Sequence, residues 1–337
     1  MSHGRLIHHQ LKSSTDLSHV PLGDLGAELL VRLTNPTSHD SRKEFEKHLQ
    51  MLSALNRVTG EVMEVPENRV SIAHFGTQFR FVHHCWKSHK IPIEGAVHVD
   101  IGCGSVNPLA RLFTHLMLGV DRVVGIDLDV PTDLDESARN LARLAGAAIL
   151  DPSRIYGDYP ITPQKVLGNL AGFDLAKLQR GDPSGADQRR MGLLQKPIES
   201  TGLATASVDV VISNSVFEHL PQLDATLAEL ARITKPGGYG LHGIDTVDHR
   251  WYGEPHLHQL EFLTLNSKEP IVFGCNRVRL FEFPELFRRH GFEIVERWTH
   301  NKVVISPEFR ARMVEPWKSM PDELLDTTWA QVLIRRR

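Results

Sequence analysis

Cysteine is nearly missing from this chain. The three in 337 residues, Cys85, Cys103 and Cys275, stand too far apart for any CxxC pair. An odd, scattered set builds no disulfide framework and fits a reducing compartment. Apolar runs of membrane length are also missing, since nothing approaches the roughly 20 residues that a bilayer-spanning helix needs. The opening Met1-Ser-His-Gly-Arg-Leu-Ile-His-His segment has no hydrophobic core of a secretion signal. A cytoplasmic setting away from any membrane is therefore expected. Charge of one sign is not in excess: 38 Lys and Arg against 41 Asp and Glu leave a net charge of −3, without a basic stripe. Neutralising phosphates supplies most non-specific nucleic-acid affinity, so a nucleic-acid partner is not expected. Internal repeats and low-complexity tracts are absent.

What is there is an ordinary soluble composition, 41% hydrophobic and 23% charged, enough for a substantial core. The 19 histidines are numerous but dispersed, which reads as polar surface positions rather than a metal tract. Residues 1–92 lack strand alternation and look helical. Ser41–Val58 places Phe45, Leu49, Leu52 and Leu55 at helical spacing behind Ser41 as a cap, and Ala73–His89 is a second helix whose aromatics read as core.

From Ala96 the pattern changes. Buried strands are expected at Ala96–Ile101, Arg122–Asp127, Val208–Ser213 and Tyr239–Asp245, with closing strands at Gly291–Arg297 and Ala330–Arg335. Helices are expected at Pro108–Leu118, Leu134–Leu150, Ala225–Thr234 and Phe283–His290. Alternating strands and helices imply an α/β fold with a sheet covered on both faces. Two stretches stand outside this alternation. Residues 151–190 are rich in Pro and Gly and read as an irregular insertion, and residues 248–279 carry His249, Trp251, Tyr252, His256 and His258. Long loops inside compact domains are commonly functional, and both stretches are candidate substrate covers.

The segment with the most chemistry is Val99-Asp-Ile-Gly-Cys-Gly-Ser105. An acid near the end of an apolar strand is followed by glycines that turn the chain tightly into a helix and let the backbone approach a ligand. Twenty-three residues after Gly104 the next strand ends in Asp127, placed to accept hydrogen bonds from ribose hydroxyls. A dinucleotide loop would read GxGxxG, but position 107 is Asn, and Asp100 would repel a pyrophosphate. An acid there suits a ligand with an ammonium group. Cys103, in the turn, reads as a small packed residue, with no activating neighbour in sequence.

Downstream, Ser207-Val-Asp-Val-Val-Ile-Ser-Asn-Ser-Val-Phe-Glu-His-Leu220 and Leu227-Ala-Glu-Leu-Ala-Arg-Ile-Thr-Lys-Pro-Gly-Gly238 follow in order. Together with the glycine turn, they resemble the class I S-adenosylmethionine (SAM)-dependent methyltransferases, most closely the type 11 branch, over roughly residues 93–300. The resemblance implies a Rossmann-like, doubly wound, mostly parallel seven-stranded sheet with an antiparallel closing strand, residues 93–337 forming the methyltransferase domain behind a helical extension. It implies SAM as cofactor, with Asp100, Gly102, Cys103 and Gly104 around its methionine part and Asp127 on the ribose. Leu128 would pack on adenine, Ile198 and Glu199 at the end of the third strand would meet the adenine edge, and Ser213 and Asn214 would face the methionyl group and acceptor. The pattern departs at Val106, in place of a third glycine, and at Pro197, in place of an acid. An Asn/Asp-Pro-Pro-Tyr motif is missing after the fourth strand, which argues against a DNA-adenine or glutamine methylase.

Methyl transfer requires alignment, exclusion of water and, for a hydroxyl acceptor, removal of a proton. The candidate catalytic residues are His219, Asp245 and His249, the last two as a carboxylate orienting an imidazole. His219 could equally cap its loop. His242, Asp245, His249, His256 and His258 could together hold a divalent metal, but their spacing matches no compact ligand motif and no metal is expected. The Asn276-Arg-Val-Arg-Leu280 run resembles enzymes acting on glycans or secondary metabolites, with Arg277 and Arg279 as candidate anion contacts. The expectation is therefore methyl transfer to a small molecule, at oxygen. The alternatives are an NAD-linked oxidoreductase on a similar sheet and a non-catalytic partner subunit. Residues 1–92 could cap the site or mediate a homodimer.

Overall fold

A computed structural model describes residues 72–129 and 131–337. The expected helix over Ser41–Val58, its Ser41 cap and most of the N-terminal extension lie outside the described residues. In chain order the main elements are α1 (Ile72–His89), β1 (Val97–Ile101), α2 (Pro108–Met117), β2 (Arg122–Asp127), α3 (Leu134–Leu150), β3 (Met191–Gln195), β4 (Val208–Asn214), α4 (Leu223–Ile233), β5 (Thr234–Asp245), α5 (Phe283–Arg289), β6 (Phe292–Lys302) and β7 (Thr327–Arg336). The strands form one seven-stranded sheet in the order β3-β2-β1-β4-β5-β7-β6. Only β7 runs against its neighbours, as the closing strand was expected to do.

By contact the chain divides into two compact units, one of residues 72–97 with Cys103–Gln195, the other of His98–Gly102 with Lys196–Arg337. In the first, α2 starts on Pro108, whose missing N–H is no loss at a helix start, and buries Leu109, Leu112, Phe113, Leu116 and Met117. Asp133 caps α3 by accepting from the Glu136 N–H at 2.7 Å. Parallel β2 and β3 pair from Val123↔Met191 to Asp127↔Gln195, so both carboxyl ends lie at the same edge.

Residues 151–190 are not an irregular cover. They form short helices at Ser153–Tyr156, Pro163–Asn169 and Leu175–Gln179 and a 3₁₀ turn at Pro183–Gly185. They leave the end of α3 and enter the start of β3, which places them at the amino edge of β2 and β3, away from Asp127. Tyr156 Oη donates to the Thr114 carbonyl at 3.0 Å, and Arg190 donates to the carbonyls of Val120, Asp121 and Asn169. Trp86 of α1 packs edge-on against Tyr159 with ring centroids 4.7 Å apart. Prolines and glycines here punctuate a helical layer, and the composition alone hid its order.

In the second unit β1, β4 and β5 run parallel, with Asp100 opposite Ile212 and Asn214 opposite Gly243. Their carboxyl ends gather at one edge. β5 starts at Thr234 rather than Tyr239, because Thr234 pairs with Val208 before the Lys235-Pro-Gly-Gly238 run makes the ladder irregular. β6 and β7 are longer than expected, since they pair with each other out to Lys302 and Thr327 and the polar outer residues of β6 mask their alternation. Residues 248–279 follow the carboxyl end of β5. A small core of Leu260, Phe262, Leu263, Val272, Cys275, Ile305, Phe309, Met313 and Leu325 holds them.

Candidate active site

In the first unit the turn after β1 is built on Gly104, at φ +80, a conformation that strains any residue with a Cβ. Among the described residues, chain neighbours aside, no atom lies within 4 Å of the place a Cβ would take there, so the backbone faces open space. The Gly104 N–H donates to Asp127 Oδ2 at 2.7 Å, and the Asp129 N–H donates to Oδ1 at 3.0 Å. A carboxylate offers about four acceptor positions, so Asp127 keeps capacity for hydroxyl donors. Leu128 beside it is 64% exposed, an unusual posture for leucine and one that suits a ring stacked upon it. These features fit the nucleoside part of SAM. Cys103 is buried at 4% exposure, in keeping with a packed residue. The third strand stops at Gln195, whose Nε2 donates to the Leu128 carbonyl at 3.2 Å. Ile198 and Glu199 therefore lie not at the strand end but beyond it, in the 3₁₀ turn Ile198–Ser200, with Ile198 buried and Glu199 exposed.

In the second unit Asp100 is buried and Gly102 packs so tightly on Val216 that a Cβ would come within 2.3 Å of Val216 Cγ2. Ser213 does not present its hydroxyl outward: Oγ lies 2.8 Å from His242 Nδ1, with both residues buried. Burial holds His242 neutral, its pKa lowered to about 3. Asn214 is partly exposed at the end of β4.

The three candidate catalytic residues do come together. His249 Nε2 stands 3.6 Å from Asp245 Oδ2, and the His219 and His249 rings meet edge to face with centroids 4.8 Å apart. Tyr252 Oη donates to Asp245 Oδ2, and the Val247 N–H donates to Oδ1 at 2.9 Å. Three further members escaped the sequence reading as chemistry: Glu218, Tyr252 and Cys275. Cys275 follows a tight turn in which Phe273 and Gly274 both take positive φ, with Val272 and Cys275 exchanging backbone hydrogen bonds. The Gly274 carbonyl accepts from His219 Nδ1 at 2.7 Å, which leaves Nε2 of a neutral His219 as the acceptor. No CxxC or His-spacing signal marks Cys275, because its neighbours arrive from two other segments.

The electrostatics of the cluster are unusual. Asp245, then the Cys275 sulfur, raises His249 to about 10. Burial pushes the Cys275 thiol up, but His219 and His249 overcome this and bring it down to about 7. Burial raises Glu218 to about 8. His249 is thus a cation near neutrality and a poor proton acceptor in the free protein, which qualifies the expected imidazole base.

The five residues weighed as a metal set, and not expected to form one, are not assembled. His242 is buried against Ser213, His256 is exposed beside Glu254, and His258 Nε2 donates to the Val304 carbonyl at 2.9 Å. The arginines of the 276–280 run are structural. Arg279 is fully buried and donates to the Thr246 carbonyl and hydroxyl, while Arg277 donates to the Leu265 and Ser267 carbonyls and lies over Trp317. Asn276 Nδ2 donates to the Phe217 and Leu220 carbonyls and so clamps the turn carrying Glu218 and His219.

Residues 161–241 match the family described as methyltransferase domain. Among curated proteins no sequence matches the chain. Solved structures similar to this one include a geranyl diphosphate methyltransferase in complex with SAM, with 14% identity and TM-score 0.43, covering 81% of this chain and 92% of the other. A SAM-dependent methyltransferase from Mesorhizobium loti has 13% identity and TM-score 0.38, covering 75% and 97%. Another from Methanosarcina mazei has 14% identity and TM-score 0.39, covering 74% and 95%. The family match sides with methyl transfer over hydride transfer.

Proposed function

We propose that this SAM-dependent methyltransferase methylates a small molecule at oxygen, in a domain spanning residues 93–337, and that the acceptor's proton leaves through the cluster around His219, Asp245 and His249. Bound SAM supplies an electrophilic methyl group on a sulfonium. Asp127 would hold the ribose and Leu128 the adenine face. Following the family pattern, Asp100, Gly102, Cys103, Gly104, Ser213 and Asn214 would surround the methionine part, with Ile198 and Glu199 towards the base. The observation that carries the reading is the convergence of His219 and Asp245 on His249 at the carboxyl edge of β4 and β5. In open α/β sheets that edge is where ligands bind.

An oxygen acceptor needs a group to take or polarise its proton, whereas a free amine does not. His219 Nε2 is the acceptor atom, and its ring orientation is held by the Gly274 carbonyl. Asp245 keeps the His249 imidazolium in place, where it balances negative charge as the proton leaves. Scattered cysteines support a cytoplasmic setting, and no helix among the described residues is long and apolar enough to cross a membrane.

Transfer of labelled methyl from SAM into a panel of hydroxylated, amino and thiol small molecules tests this reading. Oxygen methylation is expected, with Asp245→Asn lowering kcat by about tenfold or more and leaving SAM affinity unchanged. Exclusive amine methylation, or full activity of Asp245→Asn, would refute it.

A further inference from the structure

Cys275 Sγ, a ring nitrogen of His219 and a ring nitrogen of His249 all lie within 4.8 Å of one another. Two imidazoles and a thiolate are the donor set that suits zinc and its neighbours among the divalent transition metals. Zinc bonds of about 2.0–2.3 Å to such ligands separate them by roughly 3.5 Å, so modest inward turns of the side chains complete the geometry.

Two features prepare these residues for a cation. The first is the outer layer of hydrogen bonds. A metal-bound histidine ordinarily gives its other N–H to a carbonyl or carboxylate, which fixes the tautomer. His219 Nδ1 already donates to the Gly274 carbonyl at 2.7 Å, and the same tight turn then delivers Cys275. His249 Nε2 makes no hydrogen bond among the described residues, but the Asp245 carboxylate faces it at 3.6 Å, an ion-pair distance. The second feature is independent of the histidines. Glu218 is 1% exposed, and neither carboxylate oxygen finds a hydrogen-bond partner among the described residues. One Glu218 oxygen lies within 4.8 Å of ligand atoms of both Asp245 and His249. Leaving a carboxylate so buried and unpaired is unfavourable, and a nearby cation offsets much of that penalty.

We propose that His219, His249 and Cys275 bind a divalent transition metal of the zinc class, with Glu218 and Asp245 as the carboxylates that balance it. Three protein ligands leave a fourth position for an acceptor oxygen. This role rests on the oxygen-methylation reading above; the binding of the metal does not. With the metal bound, His219 Nε2 is a ligand and no longer the proton acceptor: the cation lowers the pKa of a bound hydroxyl, whose proton passes to solvent water before the oxygen takes the methyl group from SAM.

Metal analysis of the full chain, expressed without a histidine tag and purified without chelators, tests the site. Stoichiometric zinc is expected. Cobalt added to the stripped protein is expected to saturate at one equivalent with a sulfur-to-cobalt charge-transfer band in the near ultraviolet. The band is expected to vanish in Cys275→Ser and persist in Cys85→Ser. Because Cys275 also packs in a small core, His219→Ala serves as the second variant: it is expected to weaken cobalt binding by at least tenfold with an unchanged circular dichroism spectrum and melting curve. Absence of saturable binding, or binding and a band that survive both variants, would overturn the proposal. Stoichiometric metal in a protein that methylates no hydroxyl would leave the site standing and sink only the oxygen-acceptor reading.

Discussion

The Gly104 N–H and the Asp127 carboxylate are 23 positions apart in the chain and bonded at 2.7 Å in the fold. Asp127 therefore shapes the glycine turn, and in the proposed reading it also holds the ribose. The other Asp127 oxygen is anchored by the Asp129 N–H. A carboxylate held from both sides is preorganised, and preorganised groups bind without an ordering penalty.

Asp127→Ala is accordingly expected to weaken SAM binding by at least tenfold, about 1.4 kcal/mol. Titration calorimetry with SAM or its demethylated product measures it. Unchanged affinity would remove Asp127 from the ribose.

Gly104→Ala tests the turn. The space beside the glycine is open, so no clash results, and the effect comes from forcing a Cβ residue to φ +80. A loss of about 1 kcal/mol in stability is expected, together with weaker SAM binding. Urea denaturation and calorimetry on one preparation separate the two effects. A fully stable variant would mean that the turn relaxes.

Buried histidines set the acid side of stability. Burial lowers His242 to about 3 and, with help from Arg111, His115 to about 4, against an ordinary value of 6.5. Below pH 6.5 the unfolded chain takes up protons that the folded chain refuses, so folding stability falls as the pH drops through that window until the folded values are reached. Glu218 and His249, whose values are raised, pull the other way between pH 7.5 and 4.5, so the check is differential: His242→Gln should lose some stability at pH 7.5 and recover it relative to the parent as the pH falls below 6.5, read from denaturation midpoints of the two. A slope unaltered by His242→Gln would contradict the assignment.

Arg279→Met distinguishes a structural arginine from an anion receptor. Removing charge-assisted bonds to the Thr246 carbonyl and hydroxyl is expected to lower stability by about 2–3 kcal/mol. Acceptor KM should change little in the fraction that folds. A KM effect with intact stability would restore the anion reading.

Much of the architecture was legible before any coordinates. Arg122–Asp127 and Leu134–Leu150 run between the expected residues, because a short buried strand and a long alanine-leucine face declare themselves through periodicity. The helical layer at 151–190 was not legible, since its helices are a few residues long and Pro and Gly punctuation outweighs their weak periodicity. At the site, Asp245 and His249 are four apart and one turn brings them together, so their pairing could be read locally. Nothing local ties either one to Cys275 or to Glu218.

What the amino-acid order determined alone is the repeating chemistry of strand, turn and helix: the glycine turn at 102–104, the acid at 127, the Pro-Gly-Gly irregularity. Each is set by neighbours within a few residues, where backbone sterics and periodicity act directly. What only tertiary structure decided is which polar groups share one buried space. Cys275 meets His219 because Asn276 clamps the turn at 217–220 and a small core holds residues 260–275 in place. Burial then does what sequence cannot express. It strips water from Glu218 and keeps His242 neutral, while Asp245 and the Cys275 sulfur, working against burial, make a cation of His249, since the energy of a charge depends on surroundings assembled from distant parts of the chain.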